Sequence, residues 1–185
     1  MIQEQFRALL PRAREVTLGL SAGQLNWRPA ENAWSVAECI AHLNTTNEKY
    51  CISIEKAIAR AREKGWTSAG EPKLGFIERR LLASMDLPVK RRLKTPKTLA
   101  PPSKAFDRDE LLARWTSSHE RLIELSVQSE GLDLKRARVT SPASSFLKFS
   151  LLWAFLAMPA HDRRHLWQIE QIRKKISGEP THSAT

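Results

Sequence analysis

Cysteine is scarce in this chain: only Cys39 and Cys51 occur among 185 residues. They sit twelve positions apart in one helical-looking segment. A straight helix would hold them about 18 Å apart at ~1.5 Å per residue, too far for a disulfide. Two free thiols are therefore expected, as suits a reducing cytoplasm. No apolar run approaches the ~20 residues that span a bilayer, so no membrane partner is expected. The first residues, MIQEQFRALLPRAREVT, lack the apolar stretch and cleavage site of a secretory signal, which also points to a cytoplasmic location. Strand-like alternation of useful length is missing too, which leaves a sheet architecture without material. Acidic residues are outnumbered, 20 against 30 Lys and Arg, for a net charge of +10. A sequence-specific reader of nucleic acid would add a recognisable motif or an aromatic stacking platform, and neither is present. The excess charge, densest at Lys90-Arg91-Arg92-Leu93-Lys94, speaks to solubility and to attraction for acidic substrates or partners rather than to fold.

What the sequence does contain is helical periodicity. With 42% apolar residues, the length suits one domain with a real core, expected over residues 1–178 with a flexible tail at 179–185. Four long helices are predicted. The first runs from about Ile2 to Leu20, burying Phe6, Leu9, Leu10, Val16 and Leu20, with Pro11 interrupting it. A link rich in Pro, Asn and Gly follows. Ser35 and Glu38 then form an S-x-x-E capping box. From there Val36, Ile40, Leu43, Tyr50, Ile54 and Ile58 recur at helical spacing to about Lys64. Residues 65–106 read as an irregular insertion with a short helix near Phe76 to Met85 and a basic, proline-containing stretch. Asp107 and Glu110 suggest another capping box opening a third long helix, with Leu111, Trp115, His119, Leu122 and Leu125 on its inner face and Gly131 beyond its end. The segment LKRARVTSPASS leads to a last helix over about Phe149 to Ile176, ended by Gly178 and Pro180. The predicted fold class is all-α, a four-helix bundle.

The last helix carries the sharpest chemical signal. At ~100° per residue, Leu151, Phe155, Met158, His161, Leu166, Ile169, Ile172 and Ile176 share one broad stripe, and His165 lies on it too. His161 and His165 are i and i+4, a spacing that lets two imidazoles converge on one cation. The same pair is equally at home as buried, hydrogen-bonded histidines. A catalytic metal usually needs three protein ligands and an open position. His42 and His119 compete for the third place; His182 lies in the tail. By periodicity His42 points roughly 140° from the aliphatic stripe of its helix, toward Glu38, Cys39 and Thr46. Cys39 is read as a small core residue, or as a fourth ligand that would close the site. Asp162 is expected to pair with nearby Arg at the surface. Trp27 and Trp34 flank the loop before the second helix, as pocket walls or as plugs of the bundle end.

Two stretches resemble one known group, the DinB-like (YfiT-like) helical bundles with their thiol-dependent transferase relatives. One is Leu25-Asn26-Trp27-Arg28-Pro29 leading into Trp34-Ser35-Val36-Ala37-Glu38 and then His42-Leu43. The other is His161-x-x-x-His165 followed by Gln168 and Ile169. Together they cover about a third of the chain, in the family's order. The resemblance implies that His42, His161 and His165 hold a divalent metal ion, zinc or nickel by the preference of imidazole. It also implies attack of a low-molecular-weight thiol on a small electrophile, and it admits a homodimer. Glu38 can orient His42 or simply cap its helix, and Gln168 can contact substrate or bridge helices. Three function classes stand: a metal-dependent thiol transferase or hydrolase, a non-catalytic stress or regulatory module binding a metal or small ligand, and a basic nucleic-acid-interacting protein.

Overall fold

The computed structural model describes residues 2–68, 70–85 and 95–178. Its elements follow local sequence closely. Helix α1 spans Ile2–Leu9 and α2 spans Arg12–Thr17, divided at Leu10-Pro11 because proline contributes no N–H to a helical ladder. Helix α3, Ala22–Asn26, lies within the expected link; Ser21 and Gln24 form a capping box there. Helix α4, Val36–Glu63, starts on the Ser35–Glu38 box: the Ser35 hydroxyl accepts from the Glu38 amide at 3.1 Å, and Glu38 accepts from the Ser35 amide at 2.9 Å. Such a cap stabilises a helix by about 1 kcal/mol. Helix α5 is Phe76–Ala83, and a 3₁₀ turn follows at Lys97–Leu99. Helix α6, Arg108–Gln128, starts on Asp107, whose carboxylate accepts from the Glu110 amide; this is the first half of the expected box, a single side-chain cap. Helix α7, Leu151–Ser177, ends on Gly178, which takes the left-handed conformation (φ +77°) that favours glycine.

The link between α6 and α7 departs from expectation. Strands β1 (Arg138–Thr140) and β2 (Lys148–Ser150) pair antiparallel as a small hairpin, Val139 opposite Phe149. Three residues per strand are too few for an alternation visible in sequence. The helical class stands: α1–α2, α4, α6 and α7 pack together as a four-helix bundle.

The direction of each helix follows from its side-chain contacts. Asn44 reaches the Leu111 carbonyl, Glu48 pairs with Arg114, Glu55 with Arg121, and Arg62 reaches the Gln128 carbonyl. Contacts ascend together in both helices, so α4 and α6 run parallel. A parallel pair needs a return connection over the length of the bundle, and residues 64–107 make that crossover. Two apolar clusters fill the interior. One gathers Phe6, Ile54, Leu122, Leu125, Leu151 and Phe155; the other gathers Leu25, Ile40, Leu43, Leu111, Trp115, Leu166 and Ile169. Between them, on all three long helices, core positions turn polar: His42, Asn44, Thr46 and Asn47 on α4, Ser118 and His119 on α6, and Asp162 on α7 are buried. Burying polar groups is costly unless they are paired, so this layer marks where the fold serves something other than packing.

Candidate metal centre

His161 and His165 stand one turn apart on α7, half-buried, while His42 comes from α4 and is 3% exposed. Their ligand nitrogens all lie within 4.8 Å of one another. His42 Nε2 is 3.3 Å from His161 Nε2, and the ring centroids of the three imidazoles are 4.7–5.2 Å apart. The outward phase expected of His42 is overridden because the first turns of α4, Val36 through Asn44, are buried on every side. Trp34 packs on the group, 5.0 Å from the His42 ring and stacked 6.0 Å from His165. It walls the site, whereas Trp27 is exposed.

The hydrogen bonds around the group fix how two of the rings are protonated. His42 Nδ1 donates to the Leu99 carbonyl at 2.8 Å, so its Nε2 carries a lone pair. His165 Nδ1 donates to Gln168 Oε1 at 3.0 Å, which likewise leaves Nε2 as an acceptor. Both lone pairs belong to the cluster of converging nitrogens. The third ring, His161, has its Nδ1 buried with no partner, so its polar contact is through Nε2, toward His42. Burial lowers the pKa of all three imidazoles. For His161 and His165 the neighbouring histidines and Arg164 lower it further, and His165 is pushed down to about 3. Three neutral rings with converging nitrogens repel one another unless a proton or a cation lies among them. As a donor set they fit a divalent ion of the kind that prefers imidazole. The carbonyl and amide behind His42 and His165 are the outer contacts that usually orient metal-binding histidines.

Other candidates are placed elsewhere. Among the described residues the group of possible ligands holds neither a carboxylate nor a thiol. Glu38 does not orient His42: it is tied to Ser35 and to Arg28, whose Nε donates at 2.8 Å. Its burial raises its pKa, but Arg28 and Ser35 outweigh that, and the net direction is down. Cys39 is fully buried in the apolar core, where desolvation raises its thiol pKa strongly; Cys51 is pushed up to about 12 for the same reason. Both are free thiols. His119 belongs to a different cluster. Its Nδ1 donates to the Trp115 carbonyl at 2.9 Å, and its Nε2 lies 3.1 Å from Asp162 Oδ2. Asp162 also accepts from Asn47 at 3.3 Å. Asp162 is therefore not the surface partner of an arginine: it is fully buried and faces α6. Periodicity could not assign it, because its surroundings depend on which helix lies opposite. The sequence signal overlooked was the polar interruption itself, recurring at core phase in three helices. His182 and the run Lys90–Lys94 lie outside the described residues.

A helical bundle whose facing helices converge three imidazoles carries a group that could hold a metal ion. The chain belongs to the DinB superfamily, whose model matches residues 5–169. No curated protein and no solved structure gives a significant match. No helix among the described residues is long and apolar enough to cross a membrane.

Proposed function

We propose that this protein is a divalent-metal enzyme of the cytoplasm that joins a low-molecular-weight thiol to a small electrophile. The observation that carries the proposal is the convergence of His42, His161 and His165 nitrogens within 4.8 Å from two helices. Three neutral ligands leave an ion its full charge and room for a further ligand. Zinc and nickel both suit such a set. Bound there, the ion would supply Lewis acidity and favour the thiolate over the thiol. The chain's own groups prepare the site. Leu99 and Gln168 hold two rings in the ligating tautomer, burial keeps all three unprotonated near neutral pH, and Trp34 shields one side from water. No cysteine or carboxylate of the described residues stands ready to close the coordination sphere, which favours an enzyme over a non-catalytic metal-binding module.

Elemental analysis of purified protein beside His161→Ala tests the metal, and a panel of thiols offered a common electrophile tests the chemistry. About one ion per chain is expected, lost in the variant. Wild-type metal content in His161→Ala would remove that residue from the site. Bound metal with no thiol consumed under any condition would leave the binding module as the better account.

A further inference from the structure

Helix α5 and the tip of the β1–β2 hairpin expose apolar side chains that the bundle does not use. Phe76 (68% exposed), Ile77 (73%) and Leu81 on α5, with Phe146 (93%) and Leu147 at the hairpin tip, are five of the nine exposed large hydrophobic residues among those described. Scattered singly, such residues are ordinary; gathered, they mark a contact surface. None of the eight residues of α5 is buried. At ~100° per residue, Phe76, Arg80, Ile77 and Leu81 fall in order along one outer arc, with Leu82 on the opposite side. Leu82 packs against the core. Phe146 projects from a fixed turn rather than a frayed one. The Ser141 amide donates to the Leu147 carbonyl at 2.8 Å, and the Leu147 amide donates to the Ser144 carbonyl at 3.1 Å.

Glu78 joins the two elements. Its carboxylate accepts from the Ser150 amide, where β2 ends, at 2.8 Å and lies 3.7 Å from Arg138 of β1. Its carbonyl accepts from Trp153 Nε1 at 3.1 Å. The start of α5 and the base of the hairpin therefore belong to one end of the molecule. That end is basic: residues 71–83 and 135–148 carry seven Lys and Arg against Glu71 and Glu78. Arg79, Arg80 and Lys148, next to the apolar side chains in sequence, are exposed.

We propose that this end docks on an anionic lipid surface. The Phe146–Leu147 tip and the outer arc of α5 enter among the headgroups, and the flanking Lys and Arg meet the lipid phosphates. Apolar side chains beside basic ones are what an interfacial element presents to a membrane, and each Lys or Arg near such a surface adds to the attraction. Protruding rings suit a soft interface, whereas a protein partner would need a shaped pocket for each. Ile77, Leu81 and Leu147 offer a nucleic-acid base nothing to stack on. No helix among the described residues is long and apolar enough to cross a bilayer, so the contact argued for is with the surface alone. It needs no ion at the triad.

The full chain is sedimented with vesicles of phosphatidylcholine and phosphatidylglycerol in equal parts, and with vesicles of phosphatidylcholine alone. Wild type should pellet with the first and stay in solution with the second. Phe146→Ser should weaken the partition about tenfold and Ile77→Ser about fivefold, as expected when one apolar side chain no longer leaves water. Lys148→Gln should weaken it about fivefold. All three side chains are exposed, so the fold is kept. Mere attraction of a chain of net charge +10 to a polyanion would respond to Lys148→Gln but not to Phe146→Ser or Ile77→Ser. It would also appear equally on a short DNA duplex, and that pattern overturns the proposal. Loss in Phe146→Ser with Ile77→Ser at wild-type affinity overturns it too, because the two elements would not then form one surface. Wild type left in solution with the anionic vesicles overturns it outright and makes an acidic protein the better partner for this end.

Discussion

The same polar layer holds two histidine clusters, one of which contains a carboxylate. At His119 the ring is fully buried, donates one proton to a backbone carbonyl, and shares another with Asp162, itself fully buried and steadied by Asn47. Both nitrogens of that ring have a partner. At His42, His161 and His165 no acid among the described residues joins the group, two rings are half-buried, and the ligand nitrogens lie within 4.8 Å of one another. The first cluster is complete as it stands and ties α4, α6 and α7 together. The second presents converging nitrogens that could hold a cation. Residue type thus says little about role in this bundle; what each imidazole faces decides it.

Removing the acid from the completed cluster should have the largest effect. Asp162→Ala leaves the buried His119 Nε2 without its hydrogen-bond partner, a change that typically costs about 1–3 kcal/mol, and it opens a cavity beside Asn47 as well. A large drop in the urea midpoint is expected, while whatever folds still takes up metal. His161→Ala should show the reverse pattern, with metal lost and far less stability given up. Should Asp162→Ala lose metal with its midpoint intact, the division between the two clusters would be wrong. Gln168→Leu comes next. It strips the acceptor from His165 Nδ1, and the loss of such an orienting contact weakens metal binding about 10- to 100-fold. Competition against a chromophoric chelator would measure it, and unchanged affinity would make Gln168 a mere inter-helix contact.

The smallest effect concerns the one carboxylate a turn before His42. Glu38 has its pKa lowered in the fold, against the opposing pull of its burial, so its contribution to stability is complete above its unfolded value. That contribution disappears as pH falls through the folded value. Arg28→Met should raise the Glu38 pKa and move the acid-unfolding limb of the protein to higher pH. The shift should be modest, since the Arg28 side chain is exposed and salt screens it. Metal content should not change; if it does, Glu38 reaches the triad after all.

Local features were legible in the sequence. The Ser35–Glu38 box, the Asp107 start, the Gly178 stop and the His161–His165 spacing each depend on residues within a turn or two, and each stands where the pattern put it. What required the tertiary structure was not. The inward position of His42 depends on α4 being covered on all sides near its start. The burial of Asp162 depends on α6 lying opposite, and the parallel course of α4 and α6 converts an apparent insertion at 65–106 into a necessary return path. The hairpin at 138–150 escaped because its strands are too short to establish a period.

One contact links that return path to the chemistry. The Leu99 carbonyl holds the proton of His42 Nδ1, and its turn is moored in turn by Lys49 on Thr98 and by Thr98 on Pro142. An ion that requires this orientation of the ring must draw the turn against α4, and a loosened turn must weaken the ion by the same free energy, since such coupling is reciprocal. The turn can therefore act as a latch: sequence changes at Lys49 or Thr98, which touch none of the three histidines, would tune the affinity for any ion the triad holds.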